Sequence, residues 1–231
     1  MRRIPLFFGL VLVSMFTFST FTPAQDRDQY QDRDRDRDRD RDRDRDRDRD
    51  HDRDRDRRVI LVQREPVMRD FGGGHGGRPS QDAQCDPGFV AVGFHVQTGE
   101  FYNTAWLECA RLRPDGDLGD EHRMSGRTGS PGGRAVHDAY CSGNRVLRGL
   151  VGHAGGSIDD ASGECTPIRV ILERDDRPNT ELTEPVARPG AGGRPAEVAC
   201  PIGFVVTGFR SMSGEYMDHL WLLCSELRRD Y

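Results

Sequence analysis

C-P-I-G-F-V-V-T-G-F-R-S-M-S-G-E-Y-M-D-H-L-W-L-L-C, residues Cys200 to Cys224, is the stretch from which the rest of the chain is read. It lies without a gap on Cys85–Cys109, matching Gly88 with Gly203, Phe89 with Phe204, Gly93 with Gly208, Phe94 with Phe209, Gly99 with Gly214, Glu100 with Glu215, Trp106 with Trp221 and Leu107 with Leu222. A more diverged copy runs from Cys141 to Cys165, with Gly149, Gly155 and Asp159 in the places of Gly208, Gly214 and Asp218. A unit of about 56 to 59 residues therefore occurs three times, and a repeated unit sets the architecture.

Within each copy, alternating apolar positions rich in β-branched and aromatic residues, such as Val205, Val206 and Phe209, then Tyr216, Leu220 and Leu222, predict two strands. Ser-Met-Ser-Gly between them predicts a turn. A hairpin centred on Met212 places Cys200 and Cys224 opposite each other at its open end, within disulfide reach. Gln97 and His153 hold the central place in the other copies. Among the pairings open to six cysteines, the repeat favours Cys85–Cys109, Cys141–Cys165 and Cys200–Cys224.

Arg2 and Arg3, the apolar run Ile4 to Phe18 and the small-residue end Thr22-Pro23-Ala24 have the layout of a secretory signal peptide, residues 1–24. The run falls short of the roughly 20 apolar residues that a membrane span needs, and nothing later in the chain supplies them. Export to an extracellular or periplasmic space suits an even set of regularly spaced cysteines, which an oxidising compartment favours. Residues 25–58 are nearly pure Asp-Arg alternation, 15 Asp and 14 Arg with no aliphatic side chain. With no apolar surface to offset the entropy of ordering, this stretch is expected to be a disordered, solvated spacer. Each Arg has Asp neighbours competing for it, which disfavours a nucleic-acid tether.

The chain carries a formal net charge of −5 and no lysine. That balance argues against nucleic acid or an anionic membrane as the main partner. Residues 59–231 are ample for one domain and too few for three, so the repeats, about 72–125, 126–187 and 188–231, are expected to share one core. Three glycine loops precede the first cysteines: Phe71-Gly-Gly-Gly-His-Gly-Gly-Arg78, Gly129-Ser-Pro-Gly-Gly-Arg134 and Pro189-Gly-Ala-Gly-Gly-Arg194. Val59–Val62 and Val170–Leu172 are further strand candidates, no convincing amphipathic helix is present, and the domain reads as all β. A three-sheet prism and a trefoil-like barrel both accommodate three such units, and hairpins of this length suit the prism better.

The end of each hairpin reads Gly-x-x-x-Asp or its amide: Gly214 to Asp218, Gly155 to Asp159, and Gly99 to Asn103. A carboxylate there can accept two hydrogen bonds from neighbouring hydroxyls, and glycine backbone can present N–H donors unobstructed. Such an arrangement is complementary to a sugar, and Tyr216 adds an apolar face for ring carbons. Gly and Asp are equally the ordinary residues of tight turns. Trp106 and Trp221, beside Leu107 and Leu222, read as packing residues before sugar platforms, and Ser162 takes their place in the second repeat.

The loop G-G-x-G-G followed by G-x-x-x-D, three times over, resembles the jacalin-related lectins, and the repeats are griffithsin-like. The resemblance covers about residues 59–231. It implies a β-prism I fold of three four-stranded sheets, mannose-type sugars bound at one end, and glycans or glycoconjugates as partners, with no cofactor or metal. It further implies that the acid of one repeat works with the glycine loop that follows it cyclically. Asp218, with Gly214, Tyr216 and Met217, would then face Gly73 to Gly77, including Gly76 and Gly77; Asp159 would face Gly192 and Gly193, and Asn103 would face Gly132 and Gly133. Asn103 is a neutral, weaker acceptor than the family's Asp, Pro131 removes a backbone donor from the second loop, and Ser157 and Ile158 replace Tyr216 and Met217. One good site, at Asp218, is the expectation.

The paired cysteines resemble vitelline membrane outer layer protein, a secreted β-prism with disulfide-containing repeats. That likeness implies an alternative, an extracellular matrix protein whose glycine loops are only turns. Catalysis finds little support. The seven histidines show no pair at metal-binding spacing and no H-E-x-x-H, no G-x-S-x-G elbow is present, and Glu215 and Asp218 would share one exposed turn.

Overall fold

The computed structural model describes residues 58–62, 64–175, 179–187 and 192–230. The expected signal peptide, nearly all of the Asp-Arg stretch and Pro189 to Ala191 of the third loop lie outside the described residues. The strands are β1 (Val59–Leu61), β2 (Val67–Gly73), β3 (Arg78–Pro79), β4 (Ala83–Gln84), β5 (Phe89–Thr98), β6 (Tyr102–Leu112), β7 (Leu118–Met124), β8 (Thr128–Gly129), β9 (Ala135–Tyr140), β10 (Arg145–Ala154) and β11 (Ile158–Pro167). A short helix, α1 (Ile168–Leu172), follows, then β12 (Glu181–Leu182), β13 (Val186–Ala187), β14 (Arg194–Ala199), β15 (Phe204–Ser213) and β16 (Met217–Arg229).

The three cysteine-bounded copies form the hairpins β5–β6, β10–β11 and β15–β16, each at the centre of its own antiparallel sheet. β7 and β8 pair with β6, and β9 pairs with β5. β12 and β13 pair with β11, and β14 with β10. The third sheet is completed from the other end of the domain, β1 and β2 pairing with β16, β3 and β4 with β15. Three separate sheets make the fold the prism and not the barrel. The first two glycine loops therefore cross the closed end of a hairpin, from the edge beside its second strand to the edge beside its first.

Alternation along the hairpins turns Phe94, Leu107, Leu150, Phe209 and Leu222 inward into one cluster drawn from all three sheets. Burial of this apolar set is the main force holding the sheets together. A second cluster, with Val90, Val146, Val205 and Leu227, fills the hairpins' open ends and includes Ile168 and Ile171 of α1. Val170–Leu172, expected as a strand, is thus part of a helix. Pro167 sits at its N-cap, and the three-residue spacing of Ile168 and Ile171 buries one face of a single turn, which overrides the β preference of the run.

The disulfides are Cys85–Cys109, Cys141–Cys165 and Cys200–Cys224, with Cα separations of 5.8, 5.4 and 5.7 Å. The expected hairpin geometry is corrected. Met212 lies on β15 opposite His219, the turn is Gly214 to Tyr216, and Cys224 faces Val206 instead of Cys200. Cys200 comes directly off β14, a strand of the second sheet, and its N–H donates to the Arg148 carbonyl there at 2.8 Å. Cys85 and Cys141 bond in the same way to Thr207 and Val92, at 2.9 and 2.8 Å. Each bridge consequently staples one sheet to the next.

Candidate functional site

In all three hairpins the register slips by one residue just after the turn. Met212 pairs with His219 and Ser213 with Met217, which leaves Asp218 as the extra residue of a β-bulge. Asn103 and Asp159 are the extra residues of the other two. A bulge breaks the in-out alternation and re-aims the side chain it carries, here toward the hairpin's end, where the glycine loop crosses.

At the third hairpin the loop of Gly72 to Gly77 lies against Asp218. The Gly74 N–H donates to the Asp218 carbonyl at 2.7 Å. Gly73 (φ 121°) and Gly77 (φ 73°) hold conformations that suit glycine, and a Cβ on Gly77 would overlap Asp218 Oδ2 and the Ser213 backbone. A Cβ on Gly76 or on Gly214 would come within 3.4 Å of the same carboxyl group. Asp218 Oδ2 is buried and has no hydrogen-bond partner, leaving an acceptor walled by glycines. The imidazole of His219 stands next to it, Nδ1 3.0 Å from the Gly74 carbonyl and Nε2 2.7 Å from Asp70 Oδ1.

Two expected contacts fall elsewhere. Met217 is fully buried in the core cluster, so its side chain packs beneath the turn instead of facing the loop. The Tyr216 ring packs edge-on against Phe101 of the first repeat, with centroids 5.1 Å apart, and joins the two hairpin ends. The negative charge of Glu215, then desolvation, then Glu100, raises the Tyr216 phenol above its ordinary value.

The second site repeats the frame with fewer groups. Asp159 is buried, and a Cβ on Gly193 (φ 57°) would overlap its Oδ2. Gly192 offers more room, its Cβ position being 4.0 Å from Oδ1. Burial, followed by the charge of Asp160, pushes the Asp159 carboxyl up, against the opposing pull of His153.

The first site is closed on itself. Asn103 Oδ1 accepts from the Gly99 N–H at 2.9 Å, and Nδ2 donates to the Glu215 carbonyl at 3.1 Å. The Ser130 hydroxyl donates to that same carbonyl at 3.0 Å. Gly132 lies beside the Asn103 amide and Gly133 against the Thr98 backbone. The amide that replaces the acid is engaged in bracing the third repeat's turn, together with the second loop.

Sequence reasoning passed over His219, Thr104, Ser130 and Phe101. The signal was the residue after each bulge, which reads Thr104, Asp160 and His219 in the three copies. Trp106 is buried, stacks on His95 at 5.2 Å and is covered by Arg127 at 4.2 Å; Trp221 stacks on His219 at 4.1 Å. Both tryptophans act as packing. Among the described residues no group of three or more His, Cys, Asp or Glu is arranged to hold a metal ion, and no helix is long and apolar enough to cross a membrane.

No family model and no curated protein matches the sequence. Solved structures similar to it are jacalin-related lectins. The agglutinin of Calystegia sepium is 12% identical over 71% of this chain and 99% of its own, with a TM-score of 0.49. Artocarpin complexed with methyl-α-mannose is 10% identical over 70% and 99%, TM-score 0.49, and Malaysian banana lectin 12% over 70% and 99%, TM-score 0.43.

Proposed function

We propose that this is a secreted carbohydrate-binding protein that recognises mannose-type sugars at the Asp218 site, with Asp159 as a second site and Asn103 as none. The observation that carries the reading is the buried, unpartnered Asp218 Oδ2, set among Gly76, Gly77 and Gly214. A buried acceptor without a partner is costly, and two neighbouring sugar hydroxyls donating to one carboxylate would satisfy it. Binding is reversible and involves no bond making. A single shallow site of this kind holds one sugar with a Kd of order millimolar, about 4 kcal/mol, and useful strength comes from several sites engaging one glycan surface.

A second reading, an extracellular matrix protein, draws on the three sheet-to-sheet disulfides and on Asn103, whose amide is committed to bracing the Glu215 turn. Retention of the oxidised full-length chain on immobilised mannan separates the two. The lectin reading expects retention that free mannose reverses and that Asp218→Ala reduces at least tenfold, about 1.4 kcal/mol. Indifference of a folded sample to mannan at every protein density supports the matrix reading instead.

A further inference from the structure

We infer that His219 is a proton-operated latch on the glycine loop of the Asp218 site, so that ligand binding there is switched off as pH rises. The proposal concerns regulation of that site and rests on the sugar-binding reading. His219 is buried, and both ring nitrogens face acceptors: the Gly74 carbonyl at 3.0 Å and the Asp70 carboxylate at 2.7 Å. A carbonyl and a carboxylate cannot donate, so both bonds form only when both nitrogens carry protons, in the imidazolium. When the ring loses one proton, the negatively charged Asp70 retains the remaining one on Nε2. The Nδ1 lone pair is then set against the Gly74 carbonyl, and the loop loses this side-chain bond while its backbone bond to Asp218 remains.

The loop is also held by the pairing of Gly72 and Gly73 with β16 and by close packing of Gly74 on the Gly156 backbone. Gly74 is fixed by its own N–H on the Asp218 carbonyl, 2.7 Å, and by its carbonyl on His219. The site at the first hairpin provides an internal comparison, because there Ser130 of the second loop occupies the place of Gly74. Its N–H donates to the Asn103 carbonyl at 2.9 Å, and its carbonyl accepts from the Thr104 hydroxyl at 2.6 Å. Thr104 does the same work as His219 with a group that does not titrate. The hairpin that carries the unpartnered acid has the titratable latch, and the hairpin closed by Asn103 has the permanent one.

Asp70 faces His219 from β2, the His75 ring stacks at 6.0 Å from the loop, and Asp218 precedes it on β16. Trp221 covers the ring at 4.1 Å, and Met212 lies opposite on β15. Loop attachment is therefore strongest with His219 protonated and is weakened as pH rises and the ring loses a proton.

The test follows the full-length oxidised chain by NMR across the range where histidines titrate, about pH 5 to 8, with and without methyl α-mannoside. The amides of Gly74 to Gly77 are expected to shift in step with the His219 ring, and sugar affinity at the Asp218 site to fall roughly tenfold at the upper end. His219→Thr, which installs the first repeat's residue, is expected to flatten both profiles while keeping the loop closed. Asp70→Asn is expected to move the midpoint to lower pH, and His75→Asn to leave the dependence in place. Loop amides that stay still through the His219 titration, or a His219→Thr protein that keeps the profile, overturn the latch. A chain that binds no sugar at any pH refutes the functional reading alone, because the loop amides report the latch without ligand.

Discussion

Asp218 and Gly77 are coupled by a single steric fact: the loop backbone passes where a β-carbon would overlap the carboxylate. Gly77→Ala adds that carbon at φ 73°, so the loop must withdraw. Mannoside affinity at this site is expected to drop about tenfold, with stability lowered by roughly 1 kcal/mol. Isothermal titration and thermal unfolding of the same sample read the two effects. Asp159 makes a separate case. Its carboxyl is raised by burial and by Asp160, so the folded protein still holds a proton that the unfolded chain has released. The contribution of this group to stability therefore falls as pH rises from the ordinary carboxylate range to Asp159's own titration point. Asp160→Asn is expected to lower that point, measured by carboxyl-carbon NMR. The first effect is not visible in sequence, because it depends on which backbone crosses which side chain; of the second, the neighbour Asp160 is visible and the burial is not.

The hairpins are the elements in which sequence and structure agree most closely, and also where a single residue misleads. Alternation in Val205 to Phe209 and Leu220 to Leu222 marks both strands of the third copy. Cys200 lies ahead of β15 while Cys224 lies within β16, so counting inward from the cysteines centres the turn on Met212 when Met212 is in fact paired. The correct disulfides followed from the repeat; the hairpin geometry offered for them did not hold. Because Cys200 is hydrogen-bonded to the second sheet and disulfide-bonded to the third, its bridge acts between sheets. Replacing Cys200 and Cys224 together by Ala removes a cross-link with a sequence separation of 24, worth about 3 kcal/mol in the chain-entropy model. The melting temperature is expected to fall by about 6 to 12 °C, and an unchanged value would show that the staple carries no stability.

For the molecule as a whole, three sheets around one cluster mean that no repeat has a core of its own. Phe94 and Phe209 meet edge to face at 6.2 Å across two sheets. Phe209→Ala is expected to cost about 3 to 5 kcal/mol and to lower a single transition, seen identically by far- and near-ultraviolet circular dichroism. Separate transitions would contradict a shared core. The threefold plan was legible in the cysteine and glycine spacing, which also ordered the loops before each repeat. The closing of the third sheet by β1 to β4 was not legible in that spacing, since the pairing partners Val67 and Cys224 stand at opposite ends of the domain; only the family resemblance implied that Asp218 would face Gly73 to Gly77. That closure is what brings Gly76 and Gly77 to Asp218.

The most direct test of the account is an amide-shift titration of the oxidised full-length protein with methyl α-mannoside at mildly acid pH. Saturable shifts confined to Gly76, Gly77, Gly214 and Asp218, with a smaller set at Asp159 and Gly193 and none at Gly132 and Gly133, are the predicted result. Amides around Asp218 that remain unmoved at sugar concentrations of order tens of millimolar, well above the affinity expected of one shallow site, would contradict it.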